Sequence, residues 1–339
     1  MRQSLARLRI GARRWLWRLG PRAEGAAVCD DQELLNQSLD RLRTTGTIEY
    51  TGEFGAEITT FIPFAYWLKT EGLLAGRRVI TYDGMRPFYY FLDDDEFHEK
   101  SGSRDWLPVE QRDWPTNSTY SATKQRWHVV PDYRTEYRSQ GMTFGRPVLF
   151  IQNKFTVEWE MGPINYLPLQ LLEVLFSFAS DRFDVVYSRP GALPTGTGYT
   201  SDHNTHCEYP DMELARRFSN VVILEALCAD TGAPYNLTKL EILAKSHLFV
   251  GVQGGGAHLL ACFGDSLLLL LHSRGLEYPH AYAVGPYKYL SHTPPVLLLA
   301  RSFEQLAQGV AIIGSVGRRE GNNLQFDRRF HPIFQALRF

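Results

Sequence analysis

Cysteine is scarce in this chain of 339 residues: there are four, at positions 29, 207, 228 and 262, with no CxxC pair among them. That excludes a disulfide-stapled scaffold and a thiolate metal centre. Cys228 and Cys262 sit in apolar contexts that suit reduced, buried thiols, so a reducing compartment is expected. Net charge is nearly absent, at −1, which removes any bulk attraction to nucleic acid. No nucleic-acid partner is expected. Long apolar runs are missing as well. The stretch Leu267–Leu271 is typical, and falls far short of the ~18–20 residues a membrane-spanning helix needs. The N-terminus carries no apolar signal-peptide core. The triplets at Asn36, Asn117 and Asn236 are therefore read as chance matches to the glycosylation pattern. There is no internal repeat and no low-complexity tract.

What is present is a folded body with a basic leader. Hydrophobic residues make up 44% and charged residues 22%, the balance of a globular protein, and the length suits two domains. Residues 1–20, MRQSLARLRIGARRWLWRLG, hold six arginines, two tryptophans and no acid. Their leucines and tryptophans recur at roughly helical spacing, the pattern of a helix lying in an anionic membrane interface. A disordered basic tail and a transit peptide fit the same composition. A cytoplasmic location is expected, peripheral on the inner face of the membrane.

Beyond Gly20-Pro21 the pattern is α/β. A helix is expected over 30–42, a strand over 47–51, a tight loop over 52–55, a helix over 56–69 despite Pro63, and a strand over 78–82. This is the strand–loop–helix–strand unit of a parallel sheet. Residues 83–145 are aromatic and irregular, with FYYFL (88–92) the one strand-like run. A second unit opens at Arg146-Pro147, with strands expected over 148–152, 183–188, 220–224, 247–252 and 266–272. Helices are expected over 166–179 and 236–245, the latter capped by Asn236. The pattern divides the chain into a basic segment (1–20), an N-terminal α/β domain (30–145), a C-terminal α/β domain (146–320) and a tail (321–339). In that tail Phe330, Ile333, Phe334 and Leu337 fall at helical spacing. The expected fold class is α/β, two Rossmann-like domains facing a central cleft, with ligands at the carboxyl ends of the strands.

The chemistry-bearing motif is GVQGGGAHLLACFG (251–264): an apolar strand, the glycines Gly254, Gly255 and Gly256, then His258 in a short helix that Gly264 ends. Glycines at a helix start let an anion approach backbone N–H groups without meeting a Cβ. A P-loop lysine is absent after the last glycine, and the run comes too late for a dinucleotide fingerprint. Close packing of helix against strand explains the same glycines. His258 suits a phosphate or sugar hydroxyl, or a backbone partner.

The stretch AKSHLFVGVQGGGAHLLACFG resembles the donor-binding region of glycosyltransferases with the GT-B architecture. There, a glycine-rich strand-to-helix turn in the C-terminal domain holds the diphosphate of a nucleotide sugar. GEFGAEITTFIPFAYWL similarly resembles the first strand–loop–helix of such enzymes, whose loop faces the acceptor, and RPVLFIQNKF resembles the opening strand of their second domain. The three stretches span about a quarter of the chain. The resemblance implies a metal-independent transfer from a nucleotide sugar to a glycan or lipid-linked acceptor in polysaccharide biosynthesis, without a further cofactor. It also implies that the tail returns to the N-terminal domain. A nucleotide-sugar epimerase or hydrolase, and a non-catalytic sugar-nucleotide binding protein, remain as alternatives.

Such a transfer needs cations and N–H groups for the leaving diphosphate and a base for the acceptor hydroxyl. The candidates for the donor are Asn153 and Lys154 after the first strand of the second unit, Arg189 after the next, Asn236, Lys239 and Glu241 on one helix, and Gly254, Gly255, Gly256 and His258. Lys154 and Arg189 also read as solvated loop charges, and Lys239 and Glu241 as helix-surface residues. For the base, Glu53 between two glycines is preferred, with Glu57 one turn further on as its alternate. The acidic run LDDDEF (92–97) contains the D-x-D pattern of metal-dependent transferases, but reads more readily as a solvated turn, so no metal is expected.

Overall fold

The computed structural model describes residues 31–104, 114–115, 125–157, 162–192, 207–271, 286–306, 308–309, 317–320 and 323–326. The basic segment over 1–20, Cys29, and the helical spacing of Phe330 to Leu337 lie outside the described residues. Among the described residues the chain is a mixed α/β protein with a three-stranded and a six-stranded parallel sheet and a two-stranded antiparallel pair.

Helix α1 (Asp31–Thr45) buries Leu35, Ser38 and Leu42. It stops where Gly46 turns left-handed at φ +70° and its N–H caps the Leu42 carbonyl at 3.0 Å, the usual glycine termination. Strands β1 (Thr47–Glu49), β2 (Arg78–Tyr82) and β3 (Phe97–Lys100) follow in sheet order β1-β2-β3. The β1–β2 crossover is one irregular helix: α2 (Phe54–Ala56), a π turn over Glu57–Phe61, and α3 (Ile62–Thr70). Pro63 stands in the first turn of α3, where its missing N–H is tolerated because the π turn has already shifted the ladder.

FYYFL is not a strand. A 3-10 turn runs over Arg86–Tyr89, because the Arg86 guanidinium draws in the Tyr89 and Leu92 carbonyls at 2.9 Å each. The acidic run after it is tied to cations: Lys69 Nζ lies 2.7 Å from Asp93 and 2.6 Å from Glu96, and Arg86 2.9 Å from Asp94.

The large sheet takes β4 (Val148–Gln152), β5 (Asp184–Ser188), β6 (Val221–Ile223), β7 (Ser246–Val252), β8 (Leu267–Leu271) and β9 (Val296–Ala300). Its order is β6-β5-β4-β7-β8-β9. Both faces are covered, so the strands are apolar throughout, and alternate residues divide between two cores. Leu149, Ile151, Val185, Tyr187, Leu248 and Val250 join α5 (Leu169–Ala179) and α6 (Asp211–Ala215) in one cluster. Val148, Phe150, Val186 and Phe249 join α7 (Leu224–Thr231), α8 (Tyr235–Lys245) and α9 (Gly255–Ala261) in the other.

That second cluster also contains Leu35, Phe54, Phe61, Phe64 and Trp67, so the small-sheet unit shares its apolar core with one face of the large sheet. Polar links reinforce the junction. Arg134, on α4 (Tyr133–Tyr137), donates to the carbonyls of Ala244, Ser246, Gly264 and Phe263 at 2.7, 2.8, 3.0 and 3.2 Å. It thereby satisfies the exposed carbonyl ends of α8 and the region after α9. Burial lowers its pKa to about 10. Asn236 Nδ2 donates to the Gly84 carbonyl at 2.7 Å. Gly264 does not stop α9; a Cβ there would run into the Thr293 carbonyl, so the glycine serves close approach. Among the described residues no helix is long and apolar enough to cross a membrane.

Candidate functional site at the switch point of the large sheet

Numbered from β4, the six strands run 3-2-1-4-5-6, and the order reverses between β4 and β7. Crossovers leave these two strands in opposite directions, so a crevice opens beyond their carboxyl ends. Gln152, Asn153 and Lys154 emerge from β4, and Gln253 and Gly254 from β7. Gly254 adopts φ +135°, ψ −174°, a region essentially restricted to glycine. A Cβ on it would lie 3.3 Å from Lys154 Nζ, so the half-buried Lys154 ammonium lies over the Gly254 backbone. Asn165 Nδ2 donates to Gln253 Oε1 at 2.7 Å, and both residues are buried.

The other two glycines answer to the protein itself. A Cβ on Gly255 would lie 3.1 Å from Gly55 N, 3.2 Å from Gly55 Cα and 3.4 Å from Phe54 Cδ1. Backbone meets backbone there, across the junction of the two units. On Gly256 a Cβ would occupy the space taken by the Gln152 carboxamide. The expectation that all three glycines clear room for a diphosphate is thus corrected for Gly255 and Gly256, whose missing side chains are accounted for by packing. Gly255→Val is accordingly expected to lose about 3 kcal/mol of stability through overpacking, rather than to spare the fold and remove only a ligand; denaturant unfolding measures it. His258 is buried, its Cδ2 3.3 Å from where a Cβ on Gly55 would stand and its ring 5.6 Å from that of Tyr287.

Glu53 is half-buried at the N-cap of α2 and makes no side-chain cap bond there. Its carbonyl accepts from Tyr50 Oη at 2.5 Å. Because Gly55 meets Gly255, the structure brings the Glu53 loop against the start of α9. Glu57 is elsewhere: it is fully buried, 2.6 Å from Arg104 Nη1, and accepts from Tyr89 Oη at 2.8 Å and from Thr81 Oγ1. An acid with both oxygens so committed is a structural carboxylate, which corrects its reading as the alternate base.

Several donor candidates are likewise committed to the fold. Asn153 Oδ1 accepts from the Lys154 and Leu167 amides at 2.9 and 2.8 Å, and its Nδ2 donates to Tyr187 Oη at 3.0 Å; it closes the loop after β4. Arg189 Nε lies 2.7 Å from Asp211, and its Nη2 donates to the Tyr209 carbonyl at 3.2 Å, so it is no free phosphate clamp. Asn236 lies within α8 rather than capping it; the cap position is Pro234. Glu241 packs against Gly141, four residues before α8 ends and β7 begins. That puts it toward the amino end of β7, away from the crevice. Lys239 is no surface residue: it is 3% exposed.

The acid that accompanies Lys239 is Glu225, which sequence reasoning missed. It is fully buried at the start of α7, and its Oε1 accepts from Ser188 Oγ at 2.7 Å and Tyr235 Oη at 3.1 Å. Burial raises its pKa despite these bonds. Burial also lowers the Lys239 pKa to about 8, against the opposing pull of Glu225. The unfolded chain therefore binds more protons at Lys239 between pH 8 and 10.5, and stability at this residue rises with pH across that window. The wild type is expected to gain up to about 3 kcal/mol relative to Lys239→Met between those limits, read from paired unfolding curves. The signal for Glu225 was present in VVILEAL (221–227), a lone carboxylate in an apolar run directly after a strand.

No family model matches the chain, and no curated protein matches it. Solved structures similar to it include two glycan-related proteins. A glycosyl transferase of family 9 from Veillonella parvula aligns with TM-score 0.42 and 10% identity over 86% of this chain and 96% of its own. A protein assigned as a UDP-N-acetylglucosamine 2-epimerase from Listeria monocytogenes aligns with TM-score 0.37 and 13% identity over 89% of this chain and 76% of its own. The functional reading rests on the crevice itself.

Proposed function

We propose that the protein is a glycosyltransferase that moves a sugar from a nucleotide-sugar donor to a glycan or lipid-linked acceptor, without a metal, in polysaccharide biosynthesis. The observation that carries this reading is the Lys154 ammonium over the Gly254 backbone at the switch point. A cation beside the half-buried backbone of the Gly254 turn suits the developing charge on a leaving diphosphate. The Glu53 loop, docked on the start of α9, supplies the carboxylate that takes the proton of the acceptor hydroxyl. Residues 1–20 would hold the enzyme at an anionic membrane surface, near a lipid-linked acceptor.

Incubation with a panel of uridine and guanosine diphosphate sugars tests the reading. Transfer requires an acceptor. Conversion of the donor without one favours an epimerase or hydrolase, and an unchanged panel favours a binding protein. Lys154→Met is expected to weaken donor binding about ten- to hundredfold, the range of a charge-assisted hydrogen bond, measured by calorimetry at fixed salt.

A further inference from the structure

A general base works only when its carboxylate is held within about half an ångström of the productive geometry. Glu53 starts badly placed for that. It stands on a loop, with Gly52 before it and Gly55 two residues on, and glycine is the residue with the most backbone freedom to lose on folding. Gly52 itself sits at φ +148°, where any other residue is strained. Loops of this kind move unless something holds them.

The loop is tied down by its backbone. Tyr50 Oη donates to the carbonyl of Glu53 itself at 2.5 Å, and the same carbonyl accepts the Glu57 amide at 3.3 Å. Thr59 Oγ1 donates to the Gly55 carbonyl at 2.9 Å, and the Gly52 amide donates to Tyr82 Oη at 3.4 Å. Tyr50, Thr59 and Tyr82 are all buried, so these bonds meet little competition from water. The anchors are themselves fixed. The Tyr50 ring packs against those of Phe61 and Trp114, with centres 5.0 and 4.9 Å apart. Thr59 lies in the π turn. In a regular helix its carbonyl would face Pro63, which has no N–H to give; His128 Nε2 donates to it instead, at 2.9 Å.

We infer that Tyr50 and Thr59 are positioning residues for Glu53: their hydroxyls fix the backbone that carries the base. The inference rests on the reading of Glu53 as the acceptor base. Gly55, the residue that Thr59 holds, is also the one that meets Gly255, so the same anchors set the loop against the unit that carries Lys154. A base displaced by about 1 Å costs on the order of a hundredfold in turnover. Loss of one of the two hydroxyls, with the other kept, is expected to cost about tenfold.

The test follows release of UDP or GDP by the full chain from uridine and guanosine diphosphate sugars, with short oligosaccharide and lipid-linked acceptors. Calorimetry reads donor affinity, and unfolding curves correct turnover for the folded fraction. Tyr50→Phe and Thr59→Val keep the bulk of each side chain and remove its hydroxyl. Each should lower kcat about tenfold and leave donor affinity within about twofold, while Thr59→Ser keeps wild-type turnover. In a Glu53→Gln background, which is already slow, Tyr50→Phe should cause no further loss, because there is no base left to misplace. A purely structural tyrosine would lower turnover by the same factor in both backgrounds, and that result overturns the inference. So does normal turnover in Tyr50→Phe and Thr59→Val, or equal loss in Thr59→Val and Thr59→Ser. Full activity in Glu53→Gln itself overturns the assignment of the base, and a wild type that releases no diphosphate with any pair overturns the transferase reading; this inference falls with either.

Discussion

Replacing Glu57 with alanine is expected to cost about 3–5 kcal/mol of stability, the largest effect of any single carboxylate considered. The Glu57–Arg104 pair is fully buried, with both side chains at 0% exposure and 2.6 Å between Oε2 and Nη1. Tyr89 and Thr81 donate to the other oxygen. The guanidinium lies 4.3 Å from the Tyr82 ring centre and 5.8 Å from that of Phe54. Removing the carboxylate leaves a buried cation in an aromatic enclosure without the ion pair that balances it. Removing both charges is different. A Glu57→Leu, Arg104→Met double variant should recover most of the loss, because buried pairs are close to neutral against apolar replacements. A double-variant cycle by urea unfolding gives the coupling directly. Activity of the double variant should follow its folded fraction. A stable but inactive double variant would return Glu57 to the reaction.

Glu53→Gln is expected to lower transfer by about a hundredfold or more while donor affinity stays within about twofold, the signature of a lost general base. The placement supports a role toward the acceptor. Glu53 stands at the carboxyl end of β1, on the loop whose Gly55 touches Gly255, so it approaches the crevice from the unit opposite Lys154. The amide keeps the shape of the side chain and its backbone contacts, so a loss confined to turnover reports the missing proton acceptor. Unchanged turnover at saturating donor and acceptor would move the base elsewhere.

The strands were legible because parallel strands buried on both faces are continuous apolar runs, and VLFIQ, HLFVGV and SLLLLLH admit little else. The π turn was not, since the helical spacing over 56–69 survives a one-residue shift in hydrogen bonding. Strand β3 (FHEK) and helix α4 (YRTEY) were missed because they are short and polar, and tertiary bonds hold them rather than a periodic apolar face. The site was half legible. The Gly254 turn and Lys154 emerged from the sequence as neighbours of strand ends. Gly255 and Gly256 were read for a ligand, because nothing local announces that Gly55, two hundred residues earlier, needs their space. Arg189, Asn153 and Asn236 looked available for the same reason: Asp211, Leu167, Tyr187 and Gly84 are distant in sequence. Lys239 was read as a donor candidate or a helix-surface lysine, and its burial was missed because one turn of helix does not show what covers it.

The central claim is that the crevice between β4 and β7 holds a nucleotide sugar. Its most direct test is a calorimetric titration of the wild-type chain with uridine and guanosine diphosphate sugars, followed by thermal unfolding at a hundredfold excess over the measured Kd. The account predicts saturable binding of at least one donor at one site per chain, with about 2.7 kcal/mol of added stability at that excess. Absence of both heat and stabilisation with every donor would contradict it.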